Sequence, residues 1–199
     1  ETVILEGVKL GLPQTRRRMI LVASTEVSPK IVVNYLSELD LSGVTAKDVF
    51  GIPSDYAWDD SSVPFMTATP LLSEENKARI NFLHSGDCDD PYNLPNEHRP
   101  DCHKDGHSYP SVYGRIYPDK PVGTITTGFL SIGRGRFMHP FEKRGLNLRE
   151  GARIQSFPDH YKFICDSKTT IASRLIGDAV PPLMSYWIGK AYQNAKSDR

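Results

Sequence analysis

The 199-residue chain has 39% hydrophobic residues and balances 24 basic against 24 acidic side chains, for a formal net charge of zero. That content supplies a core for one domain or one and a half, and the neutral average argues against a chain coated uniformly in positive charge. No apolar stretch reaches the length of a signal-peptide core or a membrane span. Three irregularly spaced cysteines, Cys88, Cys102 and Cys165, read as thiols of a reducing compartment.

In chain order, the first expected element is the apolar run that follows Arg16-Arg17-Arg18, with Met19 to Ala23 read as a strand buried on both faces. Alternate strand residues share a face, so Arg16 and Arg18 point together and Arg17 points away. Ser28-Pro29 then opens a helix whose Ile31, Val32, Tyr35, Leu36 and Leu39 form one stripe. Thr45 and Asp48 frame a further short helical turn. Gly51 to Pro70 is rich in Pro, Ser and Asp, and Ser73 caps a helix reaching Leu83. A long polar loop runs from His84 to Pro110.

Val112 to Gly128 alternates enough for two strands around Pro118-Asp119. Asn147 and Glu150 have capping-box spacing, and their helix is expected to stop before Pro158. Glu150 and Arg153 are spaced to pair on it. Pro181-Pro182 opens a last helix whose Leu183, Met184, Trp187, Ile188, Ala191 and Tyr192 make a wide apolar stripe.

Charge is unevenly distributed behind the neutral total. Between Glu38 and Asp105 acidic residues outnumber basic ones roughly three to one. From Gly106 to Arg153 the balance is basic, with Arg115, Arg134, Arg136, Lys143, Arg144, Arg149 and Arg153 offering a landing strip for a polyanion.

Four segments carry chemistry-bearing residue types. "GLPQTRRRMILVAS", Gly11 to Ser24, crowds three guanidinium groups against a strand, either as a solvated edge or for recognising anions and bases. "TITTGFLSIGRGRFMHP", Thr124 to Pro140, combines small residues, glycines and two arginines, either as a glycine-rich hairpin or as a DNA contact. "LNLREGARIQSFPDHYKF", Leu146 to Phe163, reads alone as a salt-bridged surface helix. "IGDAVPPLMSYWIGKAY", Ile176 to Tyr192, reads alone as a terminal helix. His84, Cys88, His98, Cys102, His103 and His107 form a further candidate, a zinc site in the long loop, although their spacing matches no standard zinc motif.

In this order the four segments resemble the C-terminal half of bacterial-type DNA cytosine-5 methyltransferases. Pro13-Gln14-Thr15-Arg16-Arg17-Arg18 is similar to the family's Pro-Gln-x-Arg-x-Arg motif. Asp119-Lys120-Pro121 through Thr124-Ile125-Thr126-Thr127, with Gly135-Arg136-Phe137 and His139-Pro140, resembles the end of the target-recognition region. Leu148-Arg149-Glu150 with Arg153, Gln155 and Phe157-Pro158-Asp159 looks like the penultimate motif, and Ile176-Gly177-Asp178-Ala179-Val180-Pro181-Pro182 like the last.

The resemblance implies an α/β fold class, with incomplete Rossmann-like S-adenosylmethionine-dependent methyltransferase core elements flanking an α+β target-recognition domain. Residues 1–26 would form the terminal strand region of the catalytic domain, 27–145 the recognition domain, and 146–199 the last two motifs. The stripe on the last helix would pack on the cofactor domain.

Such enzymes flip a cytosine out of the duplex and add a cysteine thiolate to C6. Ring carbon C5 then takes the methyl group of S-adenosyl-L-methionine. On that pattern Arg18 donates to cytosine O2, Arg16 holds the phosphate backbone and orients the catalytic carboxylate, and Gln14 supports them. Thr124 and Ile125 hold the backbone of the flipped nucleotide, Arg115, Arg134 and Arg136 are candidates for guanine or phosphate, and Asp178, Ala179 and Val180 line the cofactor. Asp178 departs from the usual Asn, and as an anion it would repel the cofactor's carboxylate unless it meets the ammonium.

The implied partners are double-stranded DNA and an N-terminal catalytic half, in the same polypeptide or in a separate subunit. The implied setting is restriction-modification in bacterial cytoplasm. The chain starts at Glu1, and none of its cysteines follows a proline as the family's nucleophile does. It is therefore expected to be part of a longer or split enzyme, inactive alone; a stand-alone DNA-binding module is the other reading.

Overall fold

The computed structural model describes residues 1–50, 64–85, 94–104, 111–166 and 168–198. Its elements are β1 (Thr2–Glu6), β2 (Arg17–Leu21), α1 (Pro29–Glu38), α2 (Ala46–Phe50), α3 (Pro64–Thr67), α4 (Glu74–Leu83), α5 (Leu148–Ile154), α6 (Thr169–Asp178) and α7 (Pro182–Ser197). Mixed strands and helices of this kind are compatible with a methyltransferase fold.

β1 and β2 pair antiparallel, with Val3 opposite Ile20 and Leu5 opposite Arg18. Gly11 turns the chain between them at φ 79°, a left-handed conformation that glycine adopts without steric cost. The strand around Met19 was expected to be buried on both faces. Instead one face is open, with Ile4 57%, Met19 73% and Leu21 73% exposed. The correction follows from the partners present: β1 lies beside β2, and α1 packs on β1 from one side.

That covered side continues into a hydrophobic cluster of Leu5, Leu10, Leu12, Val32, Leu36, Met184 and Ala191. Within this chain the stripe of α7 packs against α1 and the turn after β1. Trp187 anchors it, its indole N–H donating to the Leu10 carbonyl at 3.2 Å. Pro182 begins α7 and Pro29 begins α1 at the expected places. α1, which the sequence grouped with the middle region, packs with the two ends of the chain.

A second cluster joins Ile116, Val122, Ile125 and Phe129 of the middle region to Leu148, Ala152 and Ile154 of α5 and Ala172 and Ile176 of α6. A third seats Ile80 and Leu83 of α4 against Leu94, Ile132 and Met138. Ser73 caps α4 by accepting from the Asn76 N–H. The strands expected in 112–128 are replaced by single bridges, Gln14 with Val122 and Arg115 with Met138. Period-two alternation there reflects a coil alternately touching the core, because among the described residues no ladder runs alongside it.

α5 carries the capping box, with Asn147 and Glu150 each accepting from the other's backbone N–H. It ends at Ile154, before Pro158. Glu150 does not pair with Arg153. It takes both Arg144 terminal nitrogens, at 2.6 and 2.9 Å, while Arg153 forks onto Asp159 at 2.7 and 2.8 Å. Helical spacing permits Glu150–Arg153, but the partly buried fork from Arg144 satisfies more donors.

Beside this pair lies buried His139, whose Nδ1 accepts from the Phe141 and Glu142 N–H groups. Its Nε2 stands 3.5 Å from Glu150. Burial is the main cause pulling its pKa down to about 4, with Arg144 and His84 adding to the fall against Glu150 and Glu142. An unfolded histidine takes up its proton near pH 6.5, so stability present at neutral pH is lost as pH falls between those values. Urea unfolding is expected to show about 2 kcal/mol less stability at about pH 5 than at about pH 7, a difference that shrinks in His139→Gln.

Candidate nucleic-acid and cofactor site

Gln14 is fully buried, and its amide ties three parts of the chain together. Its Nε2 donates to the Ile154 carbonyl at 2.9 Å and to Gln155 Oε1 at 2.7 Å, and its Oε1 accepts from the Ile125 N–H at 3.3 Å. Gln155, equally buried, donates onward to the Ile176 carbonyl at 2.6 Å. Backbone bonds from Thr15 to Val122 and from Val122 to Pro13 hold the two segments in register.

Arg16 closes the junction. Only 1% exposed, it donates from Nη1 to the Ile125 carbonyl at 2.9 Å and from Nη2 to the Gly177 and Ala179 carbonyls, each at 3.1 Å. Burial chiefly, then neighbouring Arg18, draws its pKa down to about 10, while Asp178 pulls it back up. It remains charged at neutral pH, shared among three carbonyl dipoles. Gly177 belongs here for a steric reason: a Cβ on it would stand 2.4 Å from the Thr127 nitrogen and 2.5 Å from the Thr126 carbonyl carbon. Glycine lets the end of α6 touch that backbone directly.

Arg18 lies two residues along β2 and is half-buried, with Nη1 donating to the Arg17 carbonyl at 3.0 Å. Arg17 is exposed on the opposite face, 3.5 Å from Glu6. The three arginines thus divide as strand alternation requires.

The residues expected to hold a flipped nucleotide separate in the same way. Thr124 is half-buried, whereas the Ile125 side chain is fully buried in the core and both its backbone polar groups are engaged. Ile125 therefore acts by fixing Thr124 in place.

Asp178 is the exposed last residue of α6, Ala179 is half-buried with its carbonyl held by Arg16, and Val180 is 51% exposed. A carboxylate at a helix C-terminus, where the dipole is also negative, suits a cation. These residues fit the ammonium or sulfonium end of S-adenosylmethionine and oppose its carboxylate, with Val180 offering apolar contact.

The basic stretch is mostly spent within the protein. Arg144 and Arg153 pair with carboxylates, and Arg149 is buried with Nη1 on the Tyr161 carbonyl. Arg136 lies over the Tyr117 ring at 4.4 Å and donates to the Arg115 carbonyl at 2.9 Å, and the Arg115 backbone bridges Met138. Arg134 is exposed. The landing strip read from charge counts is therefore broken up, because counting along the sequence does not see ion pairs.

Of the proposed zinc ligands, Cys88, His107 and the side chain of Cys102 fall outside what is described. Among the described residues no group of three or more metal-binding side chains assembles, and no helix is long and apolar enough to cross a membrane. Gln155 was legible only as part of a motif. Its partnership with Gln14 links residues 141 apart and leaves no mark in local pattern.

The junction thus gathers an arginine-bearing strand, a threonine loop and a helix-end carboxylate. The family described as C-5 cytosine-specific DNA methylase matches residues 1–194, and the chain belongs to that family. It is 40% identical over 187 residues to the type II methyltransferase M1.BsuMI of Bacillus subtilis, covering 94% of this chain and 42% of that protein. It is 37% identical over 191 residues to the type II methylase M.HgiDII of Herpetosiphon aurantiacus, covering 91% of this chain and 51% of that protein. The chain thus spans about half the length of these relatives.

Proposed function

We propose that the chain is the target-recognition and C-terminal part of a DNA cytosine-5 methyltransferase of restriction-modification type, acting on double-stranded DNA. The observation that carries this reading is the buried clasp of Gln14, Arg16 and Gln155. It draws the ends of the arginine strand, the Thr124 loop and the Asp178 turn to one place.

In this reading Arg18 donates to O2 of the flipped cytosine as negative charge builds on the ring, a fixed guanidinium donor placed where that charge develops. Arg16, spent on carbonyls, contributes by holding that geometry, in place of the phosphate contact the motif implies. The Thr124 hydroxyl faces the phosphate of the flipped nucleotide, with Ile125 anchoring it. S-adenosyl-L-methionine supplies the methyl group when bound, with Asp178 and Val180 at its cationic end.

The nucleophile comes from elsewhere. None of Cys88, Cys102 and Cys165 follows a proline, and Cys165 is buried with its thiol on the Phe163 carbonyl at 3.4 Å. The chain therefore works with a catalytic half that provides the cysteine and the main cofactor pocket. Bisulphite sequencing of cells expressing the chain with such a half is expected to show new methylated cytosines in one sequence context. Their absence, with both parts folded, overturns the proposal.

A further inference from the structure

We propose that Arg134 is the base-reading arginine of this protein, forking onto a guanine in the major groove, with Gly128 as the residue that aims it. The inference rests on the methyltransferase reading and goes beyond it by separating one arginine from the three that the sequence leaves equivalent.

Two of the three are tied to the protein. Arg136 is stacked over Tyr117 and bonded to the Arg115 carbonyl, and Gly114 makes room for it: a Cβ there would stand 2.7 Å from its guanidinium carbon. Arg115 is half-buried, with its backbone in a bridge to Met138. Their stacking and burial suit a frame.

Arg134 differs on every count. It ends a 3-10 turn, Ile132–Arg134, seated on the core through buried Ile132. The side chain is exposed, and among the described residues no hydrogen bond, ion pair or aromatic ring engages its guanidinium. Yet its stem is placed: a Cβ on Gly128 would lie 2.4 Å from Arg134 Cδ and 3.0 Å from Nη1. An unpaired fork on a positioned stem is what bidentate recognition of guanine O6 and N7 requires, since less rotamer freedom is lost on contact. Gly128 has no left-handed φ, so alanine is sterically allowed in the backbone there and would act on the arginine alone.

The position also limits which base is read. Gly128 is four residues from Thr124, about 14 Å at full extension, so the guanine lies within a few base pairs of the flipped cytosine.

The test uses the chain with its catalytic half on a pool of duplexes of randomised sequence, scoring the bases that flank methylated cytosines. The wild type is expected to require a guanine near its target. Arg134→Gln is expected to lower discrimination at that one position on the order of tenfold, and Gly128→Ala to lower it less, at the same position. Unchanged preferences in Arg134→Gln overturn the proposal. So does a uniform loss across all sequences, which would assign Arg134 to a phosphate. A wild type that methylates no cytosine overturns instead the methyltransferase reading beneath it.

Discussion

Arg16→Ala is expected to unfold the junction, at a cost on the order of 3–5 kcal/mol, because two buried carbonyls and one half-buried carbonyl lose their donor at once and each orphaned buried acceptor costs about 1–3 kcal/mol before rehydration. Those carbonyls belong to Ile125, Gly177 and Ala179, so the loss falls on the contacts joining the middle region to α6 and the strand pair. Arg16→Lys recovers only part of the loss, since a compact ammonium cannot span three acceptors as a planar fork does. Urea unfolding of the chain measures both. A change within about 0.5 kcal/mol in Arg16→Ala, the range of an ordinary surface substitution, would show that the clasp does not hold the fold.

Arg18→Ala is expected to behave oppositely, although it lies two residues away on the same strand face. Among the described residues Arg18 makes one hydrogen bond, to its neighbour's carbonyl, so stability should move by no more than about 0.5 kcal/mol. In the complete enzyme turnover should fall by about 10²–10³, the usual effect of removing one donor to developing negative charge, with DNA affinity largely kept. Single-turnover methylation with saturating DNA reads this directly. An unaffected rate would remove Arg18 from the site. The pair of variants thus separates a residue that builds the site from one that acts in it, which a run of three arginines does not reveal.

Much of the helical framework was legible because its signals are local. Pro29, Ser73, Asn147 with Glu150, and Pro182 each mark a helix start within a few residues, and all four helices begin there. The split between Arg17 and its two neighbours was legible for the same reason, since strand alternation needs no tertiary information. β1 was missed, although Val3-Ile4-Leu5 is an apolar run, because five residues show too little alternation to distinguish strand from coil.

What stayed illegible is what depends on distant partners. Arg144 chooses Glu150, Arg153 chooses Asp159, and Arg136 chooses Tyr117, so a stretch that reads as a basic surface becomes mostly internal. The α7 stripe was visible, but its occupant, α1, was not. The four motifs gave the candidate site its membership. Its construction, with Arg16 turned inward onto carbonyls and Ile125 sunk in the core, appears only when residues more than a hundred positions apart meet.

Methyl transfer from labelled S-adenosyl-L-methionine to duplex DNA, measured with the purified chain alone, with a cysteine-bearing catalytic half alone, and with both, shows whether the site is shared between two parts. Product is expected only from the two together, and is lost again in Arg18→Ala. Methyl transfer by the chain alone, or no transfer from the folded pair, would contradict a shared site.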